Sequence, residues 1–416
     1  MEARRPPGRT PSPTRLERAA SRCRQRPRSS SVPHAVPYWP LSGFYFFYFA
    51  FVGGFAPYWS LYLRSIEFSA LQIGLLMSLL QVTRIFAPAA WGALADHTGK
   101  RTQIVQAAAL LSVAAFAGVF FGRSFAWMFG VMALTSFFWG ASLPLVEAIT
   151  LTHLGAQASR YGRIRSWGSV GFIAAVVGIG YLLDGTGISA LPAIVTALML
   201  GIVVFARMVP DAQVPSHDSD RLPVWSIVRR PEVMALLAAC FLMAAAHGAY
   251  YTFYSIYLVD HGYSKASVGW LWAVGVICEI AVFFAMPALT ARFGLVRILL
   301  ASFSCAVARF LIIGWGVEVT VLLILAQTMH AATFGAYHAS AVAAVHRLFP
   351  GRHQAKGQAL YSGLSFGAGG TAGGIFSGWA WEALGPSLTL TASAFAALAG
   401  LLLIGSRLRL EPEPAL

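Results

Sequence analysis

The sequence predicts an all-α membrane protein of twelve transmembrane helices in two pseudo-symmetric six-helix bundles. The 416-residue chain is 57% hydrophobic and only 11% charged, whereas soluble domains are about 25% charged. Apolar runs of roughly 20 residues, long enough to span a bilayer as a helix, recur along the chain. A shift of 195 residues, which takes Ser69 to Ser264, lays the first half on the second without gaps.

The apolar runs predict twelve spans, separated by short breaks that hold most of the charges. They cover about 41–63, 70–94, 102–122, 125–151, 164–184, 188–208, 232–259, 266–290, 297–315, 318–346, 356–381 and 386–406. The longest interior break divides the chain, so we expect an N-terminal bundle over 38–208, a cytoplasmic linker over 209–231 and a C-terminal bundle over 232–406, followed by a cytoplasmic tail over 407–416.

Half of the formal charge of +14 lies in residues 1–37, which carry nine arginines and two glutamates. This segment is rich in Arg, Pro and Ser, a composition typical of disorder. It could be a true tail, a targeting segment or the product of a misplaced start codon. The charge therefore does not predict a nucleic-acid partner. The four cysteines fit no metal-ligand spacing, and we expect no cofactor and no enzymatic activity.

Lys and Arg are concentrated in alternate breaks, whereas the opposite breaks hold only Arg64, Arg123 and Lys265. Positive charge marks the cytoplasmic side of a membrane protein. We therefore expect a multi-pass protein of the inner (plasma) membrane with both termini in the cytoplasm, acting as a monomer. Because each repeat has six helices, the repeats are parallel, and such repeats place a binding site between the halves near the bilayer midplane.

Charged side chains inside the apolar runs are the first candidate site residues. A charge at the centre of a membrane helix costs about 2.5–3.5 kcal/mol on insertion scales, so it usually has a role. Glu147 lies in the fourth run and Arg165 begins the fifth, and we expect both to face a common interior. A structural ion pair that only joins the two helices is the alternative.

Arg84 and Arg309 are candidate anion contacts, because a guanidinium group can bind a carboxylate through two parallel hydrogen bonds. The alternative for each is to balance Glu279 or a carbonyl group. The 195-residue shift places Arg84 at the position equivalent to Glu279, so the two could approach each other across the halves.

Glu279 is a candidate proton carrier, since an apolar environment favours the neutral form of a carboxyl group. Three interior histidines, which titrate in the useful pH range, are further candidates: His247, His330 and His338. The alternative for each histidine is a hydrogen-bonded interior group, and their spacing gives no metal triad.

Residues 92–101 read GALADHTGKR and resemble the signature loop of the major facilitator superfamily. The resemblance implies a gating loop formed by Gly92, Asp96, Gly99, Lys100 and Arg101. We expect Gly92 to let two helices approach closely and Asp96 to cap the next helix or to pair with a base of the other half.

A second resemblance is to the lactose permease group. It rests on Val146-Glu147-Ala148, on GRIR at 162–165, and on the eighteen residues between Glu147 and Arg165. In that group this acid and base contact the sugar, and Phe172 stands where the group has a ring-stacking Trp. Arg309 and His330 also match.

The chain departs from the lactose permeases at the proton site. Thr333 stands where they have the proton-carrying Glu, and Glu279 lies about one turn from its counterpart. The phenylpropionate permease family is more similar, through HGAYY at 247–251, the Glu279 segment, Arg309, and the histidines His330 and His338. This resemblance implies proton-coupled uptake of small aromatic carboxylates.

We therefore expect a secondary transporter that imports a small organic solute, such as phenylpropionate, together with protons. The predicted substrate contacts are Glu147, Arg165, Phe172, Arg84 and Arg309, and the predicted proton-coupling residues are Glu279, His330, His338 and His247. A proton-coupled sugar or nucleoside symporter and a drug/proton efflux antiporter are the alternatives. A non-transporting membrane sensor or scaffold is a third class of function. It would need an appended soluble domain or a long loop, and neither is visible in this sequence.

Overall fold

The computed structural model describes residues 36–212 and 224–410. Nearly all of the predicted tail 1–37, the middle of the predicted linker 209–231 and most of the predicted tail 407–416 lie outside these residues. From Pro37 onward the chain forms one unit. The described residues contain helices and no β-strand, which confirms the all-α prediction.

The first six helices, α1 to α6, are Tyr38–Ser65, Ala70–Thr98, Arg101–Phe116, Phe125–Leu154, Tyr161–Thr186 and Leu191–Met208. Three 3₁₀ segments accompany them: Ala117–Phe120 extends α3, Gly155–Arg160 joins α4 to α5, and Ile188–Ala190 precedes α6. A single turn, Trp225–Val228, remains from the predicted linker.

Three of the second six helices contain breaks. Helix α7 is Pro231–Ala246 followed by Gly248–Asp260, and α8, α9 and α12 are Lys265–Phe293, Leu295–Trp315 and Pro386–Arg407. Helix α10 consists of three consecutive segments, which are the α-helix Thr320–Thr328, the π-helical segment Ala331–Ala336 and the α-helix Tyr337–Leu348. Helix α11 likewise consists of the α-helix Gln354–Ser362, the π-helical segment Gly363–Gly369 and the α-helix Gly370–Ala383. π-Helical segments are rare in proteins overall, and those that do occur are often located at functional sites.

Within the described residues, nine of these helices are long and apolar enough to cross a membrane, namely α2 to α9 and α12. Helices α1, α10 and α11 fall outside this set, so a count of twelve spans stays a prediction. Two equivalent spans begin at serine caps. Ser69 and Ser264 precede α2 and α8, and each side-chain oxygen accepts a hydrogen bond from a backbone N–H of the first turn.

Glycines allow the closest helix contacts within the first half. Helix α1 packs along α5, and an ideal Cβ on Gly171 would lie 2.1 Å from the carbonyl oxygen of Phe46. A Cβ on Gly53 would lie 2.6 Å from the carbonyl oxygen of Phe172. The two helices therefore touch backbone to backbone, as small residues permit in membrane bundles.

The two halves meet through α5 with α8, α2 with α11, and α1 with α7. We call the end with connections 66–69, 187–190, 261–264 and 384–385 the outer end, and the end with connections 99–100, 155–160 and 349–353 the inner end. The closest contacts lie towards the outer end, where Gly74 meets Gly374 and Gly378, and Gly269 meets the backbone of Val176. Towards the inner end, side chains of α2 such as Leu94 are exposed.

Gly171→Ala is expected to lower the thermal unfolding midpoint of the purified protein, because the new methyl group would collide with the Phe46 carbonyl oxygen. Overpacking of this kind costs about 1–3 kcal/mol. The control is Gly178→Ala in the same helix, where the added Cβ would meet no atom within 4 Å. It should leave the midpoint unchanged or raise it slightly. Equal midpoints for the two variants would contradict the packing.

Candidate functional site

Glu147 and Arg165 lie together on α4 and α5, half-buried. Glu147 Oε1 accepts a hydrogen bond from the Tyr161 hydroxyl at 3.2 Å. The Arg165 guanidinium lies over the ring of Phe49, 3.9 Å from its centre, and 5.7 Å from the ring centre of Tyr45. Among the ion pairs of the described residues, none joins Glu147 to Arg165. Each charge is therefore left without an ionic partner here.

The local sequence explains this placement. Helix α5 begins at Tyr161, so Tyr161 and Arg165 are one turn apart on the same face and both point towards α4 and α1. An ideal Cβ on Gly168 would lie 2.6 Å from the Phe49 ring and 2.8 Å from Arg165 Nη1. Gly168 thus leaves room for the guanidinium to lie over the ring of Phe49.

Phe172 and Arg84 lie at different depths in the packing. Phe172 is buried where α5 crosses α1. Arg84 is exposed, and its guanidinium lies 5.9 Å from the ring centre of Phe366 in α11, so it reaches the other half. The approach of Arg84 to Glu279 suggested by the internal repeat gives no ion pair in the described residues.

Glu279 instead faces His330, with 3.8 Å between Glu279 Oε2 and His330 Nε2. Both side chains are largely buried, at 16% and 7% exposure. An ideal Cβ on Gly335 would lie 3.0 Å from Glu279 Cγ. The π-helical segment Ala331–Ala336 follows His330 directly and contains this glycine, so it brings a side-chain-free position of α10 against the Glu279 stem.

Arg309 is fully buried beside this pair. Its Nε donates to the Ala326 carbonyl at 2.9 Å, and Nη1 donates to Thr333 Oγ1 at 3.3 Å and lies 3.4 Å from His247 Nε2. The His247 Nδ1 lies 2.8 Å from the Met243 carbonyl. Nδ1 must therefore carry the proton, and Nε2 accepts from Arg309, so this bonding requires a neutral His247.

Two residues of this cluster were not predicted. The Tyr250 hydroxyl donates to Gln327 Oε1 at 2.9 Å, and the Arg309 guanidinium lies 4.2 Å from the Tyr250 ring centre. Gln327, an uncharged polar residue within an apolar run, could have been singled out by the same reasoning that selected the charges. Tyr161 was also missed, although it precedes Arg165 by one turn.

His338 lies apart from the cluster. Its Nδ1 is 2.9 Å from the Tyr361 hydroxyl, and its ring stacks on Phe334. Phe334 in turn stacks on His330, so it separates the two histidines. The structure thus brings together Glu279, His330, His247 and Arg309, and it places His338 two turns further along α10.

The gating loop differs from expectation at two positions. Asp96 pairs with Arg101 of the same loop at 2.5 Å, and it caps no helix. An ideal Cβ on Gly92 would meet no atom within 4 Å, so the predicted close helix contact at Gly92 is wrong for this conformation, because α2 is open there. Gly99 ends α2 in the left-handed region with φ +68, which favours glycine.

The chain is similar to known transporters over most of its length. It is 29% identical over 347 residues to a protein named probable 3-phenylpropionic acid transporter from Escherichia coli (strain K12), which covers 82% of this chain and 90% of that protein. It is 28% identical over 335 residues to a maltose permease from Geobacillus stearothermophilus, covering 78% of this chain and 83% of that permease.

A solved structure of the nucleoside transporter NupG superposes with a TM-score of 0.80 at 18% identity, covering 91% of this chain and 100% of that chain. This likeness confirms the fold alone.

Residues 38–392 match the MFS_1 like family, a range that includes every candidate residue named above. The chain therefore belongs to the MFS_1 like family: it is a major facilitator superfamily transporter, not an enzyme, and it resembles the phenylpropionate permease.

Proposed function

We propose that this transporter imports a small aromatic carboxylate, such as phenylpropionate, together with a proton. The observation that carries the proposal is the Arg165 guanidinium, which lies on the Phe49 ring without an ionic partner among the described residues. A half-buried cation without an ionic partner is suited to an anionic substrate. The Lys and Arg bias supports a plasma-membrane protein with cytoplasmic termini.

The carboxylate of the substrate would bind Arg165. The guanidinium lies 3.9 Å from the Phe49 ring centre, and its N–H groups would donate two parallel hydrogen bonds to the carboxylate. Arg84 is the second anion contact, because it is exposed and lies beside Phe366 of the other half. Phe172 remains the proposed ring contact, although its side chain is buried in this conformation.

The proton would be carried by Glu279. His247 is neutral by its hydrogen bonds, and the buried Arg309 disfavours a second positive charge on the rings beside it. Glu279 is then the group of this cluster that can gain and lose a proton, with His330 as its nearest polar neighbour. Arg309 would act as a positioning residue, since it is fully buried.

The two sites would be coupled through charge. Arg165 and Glu279 carry opposite charges on α5 and α8, which pack against each other across the halves, so the Arg165 charge would favour the ionised form of Glu279. A substrate carboxylate bound to Arg165 neutralises that charge, so the ionised form of Glu279 loses support and the protonated form is favoured. By linkage, a protonated Glu279 strengthens substrate binding to the same degree. Substrate anion and proton would then bind together.

A proton-coupled sugar or nucleoside symporter is the second candidate. Glu147 and the Tyr161 hydroxyl could bind sugar hydroxyl groups. The maltose permease relative supports this reading. The two candidates differ in the role of Glu147. A sugar or nucleoside would donate hydrogen bonds to the Glu147 carboxylate, whereas a carboxylate substrate does not need this acceptor.

Arg165→Gln is expected to raise the KM for phenylpropionate uptake by at least tenfold, because a charge-assisted bidentate contact contributes about 1.5–3 kcal/mol. Uptake is measured in proteoliposomes under an inward proton gradient. The matched control is Arg163→Gln on the same helix, where the side chain is exposed. The proposal is wrong if wild-type protein takes up maltose or a nucleoside but no aromatic acid.

Glu279→Gln is expected to abolish accumulation driven by the proton gradient while counterflow exchange of the substrate continues, because the amide cannot release a proton. Accumulation and counterflow are compared in the same proteoliposomes. Glu318→Gln, an exposed carboxylate of the outer end, serves as the control. Gradient-driven accumulation by Glu279→Gln at the wild-type level would exclude Glu279 as the proton carrier.

A further inference from the structure

Two carboxylates cross from one half to the other at the outer end. Asp184, near the end of α5, accepts hydrogen bonds from the backbone N–H groups of Lys265 and Ala266, both at 2.9 Å. Glu382, near the end of α11, accepts from the backbone N–H of Ala70 at 3.0 Å. In each case a carboxylate of one half binds the first turn of a helix in the other half.

The two contacts are related by the internal repeat. Ala70 and Lys265, the first residues of α2 and α8, are 195 residues apart, the same spacing as their serine caps Ser69 and Ser264. The carboxylates stand on the equivalent helices α5 and α11, about one turn apart in register. The same contact between a carboxylate and a helix start therefore occurs twice, once from the first half to the second and once from the second half to the first.

The contacts complete the caps of these helices. The first turn of a helix leaves four backbone N–H groups without intrahelical partners, and it favours negative charge. Ser69 accepts from the N–H of Gln72, and Ser264 from that of Ser267. The carboxylates from the opposite half take N–H groups that these serines leave free. The N–H groups of Ala70, Lys265 and Ala266 thus have these carboxylate partners only when the halves touch at the outer end.

We infer that Asp184 and Glu382 are gate residues that hold the outer end closed. Transport by two rocking halves requires the outer end to open. Opening removes both carboxylates from the helix starts, so the caps favour the closed state and set the balance between the two states. A third link, the Arg64–Asp260 ion pair at 2.5 Å, is 37% and 47% exposed, and an exposed pair contributes little.

The equilibrium between the closed and open states of the outer end can be measured in the purified protein with cysteine reporters on α2. Ser78 is buried in the seam between the halves, where its hydroxyl hydrogen-bonds the Gly74 carbonyl and lies 3.4 Å from that of Thr371. Ser78→Cys should react slowly with a maleimide while the outer end is closed. Ala89, one turn beyond Ile85 on the same face, is exposed towards the inner end. Ala89→Cys reports on that end.

Asp184→Ala and Glu382→Ala are each expected to raise the alkylation rate of Ser78→Cys roughly tenfold, as loss of a helix cap would predict, and to lower the rate of Ala89→Cys. The opposite changes distinguish gating from unfolding, which would raise both rates. Chains without a reporter correct for native cysteines. The control is Glu318→Ala, an exposed outer-end carboxylate with no contact to the other half in the described residues.

A second control separates the cap from an ion pair, because Lys265 Nζ also lies 3.6 Å from Asp184. Lys265→Ala keeps the backbone N–H groups and should leave both alkylation rates near those of Glu318→Ala. The inference is overturned if Asp184→Ala and Glu382→Ala match Glu318→Ala, or if Lys265→Ala has the full effect of Asp184→Ala. Substrate and coupling ion do not enter this test, so its outcome is independent of the proposed function.

Discussion

The Arg165 guanidinium lies on the ring of Phe49, 3.9 Å from its centre, and among the described residues no ion pair neutralises it. A cation at membrane depth is costly unless its surroundings compensate for the lost water. Here the compensation comes from an aromatic face, which attracts cations, and from partial exposure. Gly168 makes the arrangement possible, because any side chain there would displace the guanidinium or the ring. The proposed substrate site follows from this one contact.

The two halves differ in how far they bury their charged and polar side chains. The first half presents Glu147 and Arg165 half-buried and accessible, whereas the second encloses Arg309, His247 and Gln327 almost completely. Glu279 packs on Gly335 of α10, and its helix α8 packs across the interface against α5, which carries Arg165. The π-helical segment of α10 serves this arrangement by bringing Gly335 against Glu279. In the proposed function, the buried cluster holds the proton site and the accessible cation holds the substrate site.

Hydropathy was enough to predict the all-α fold, and charge within apolar runs together with the family resemblance selected Glu279, His330, His247 and Arg309 as candidates. The sequence did not predict that Arg309, expected among the substrate contacts, packs beside His247, or that His338 lies apart from the cluster. Sequence patterns could not give the Tyr161 contact to Glu147, the Phe49 stack or the two π-helical segments, because these depend on side-chain rotamers and on backbone hydrogen bonds that no sequence period encodes. The Gly92 prediction failed for a related reason: the sequence permits a close contact there, but the conformation decides whether the helices meet. Asp184 and Glu382 were overlooked because each caps a helix remote in sequence.

The central claim is that an anion on Arg165 favours protonation of Glu279. The most direct measurement is proton uptake by the purified, detergent-solubilised protein when phenylpropionate is added in weak buffer, followed with a pH indicator. The account predicts net uptake of protons by the wild-type protein at neutral pH, and none by Glu279→Gln although that variant still binds the substrate. Saturable substrate binding without any proton uptake by the wild-type protein, across the pH range from 5 to 9, would contradict the account.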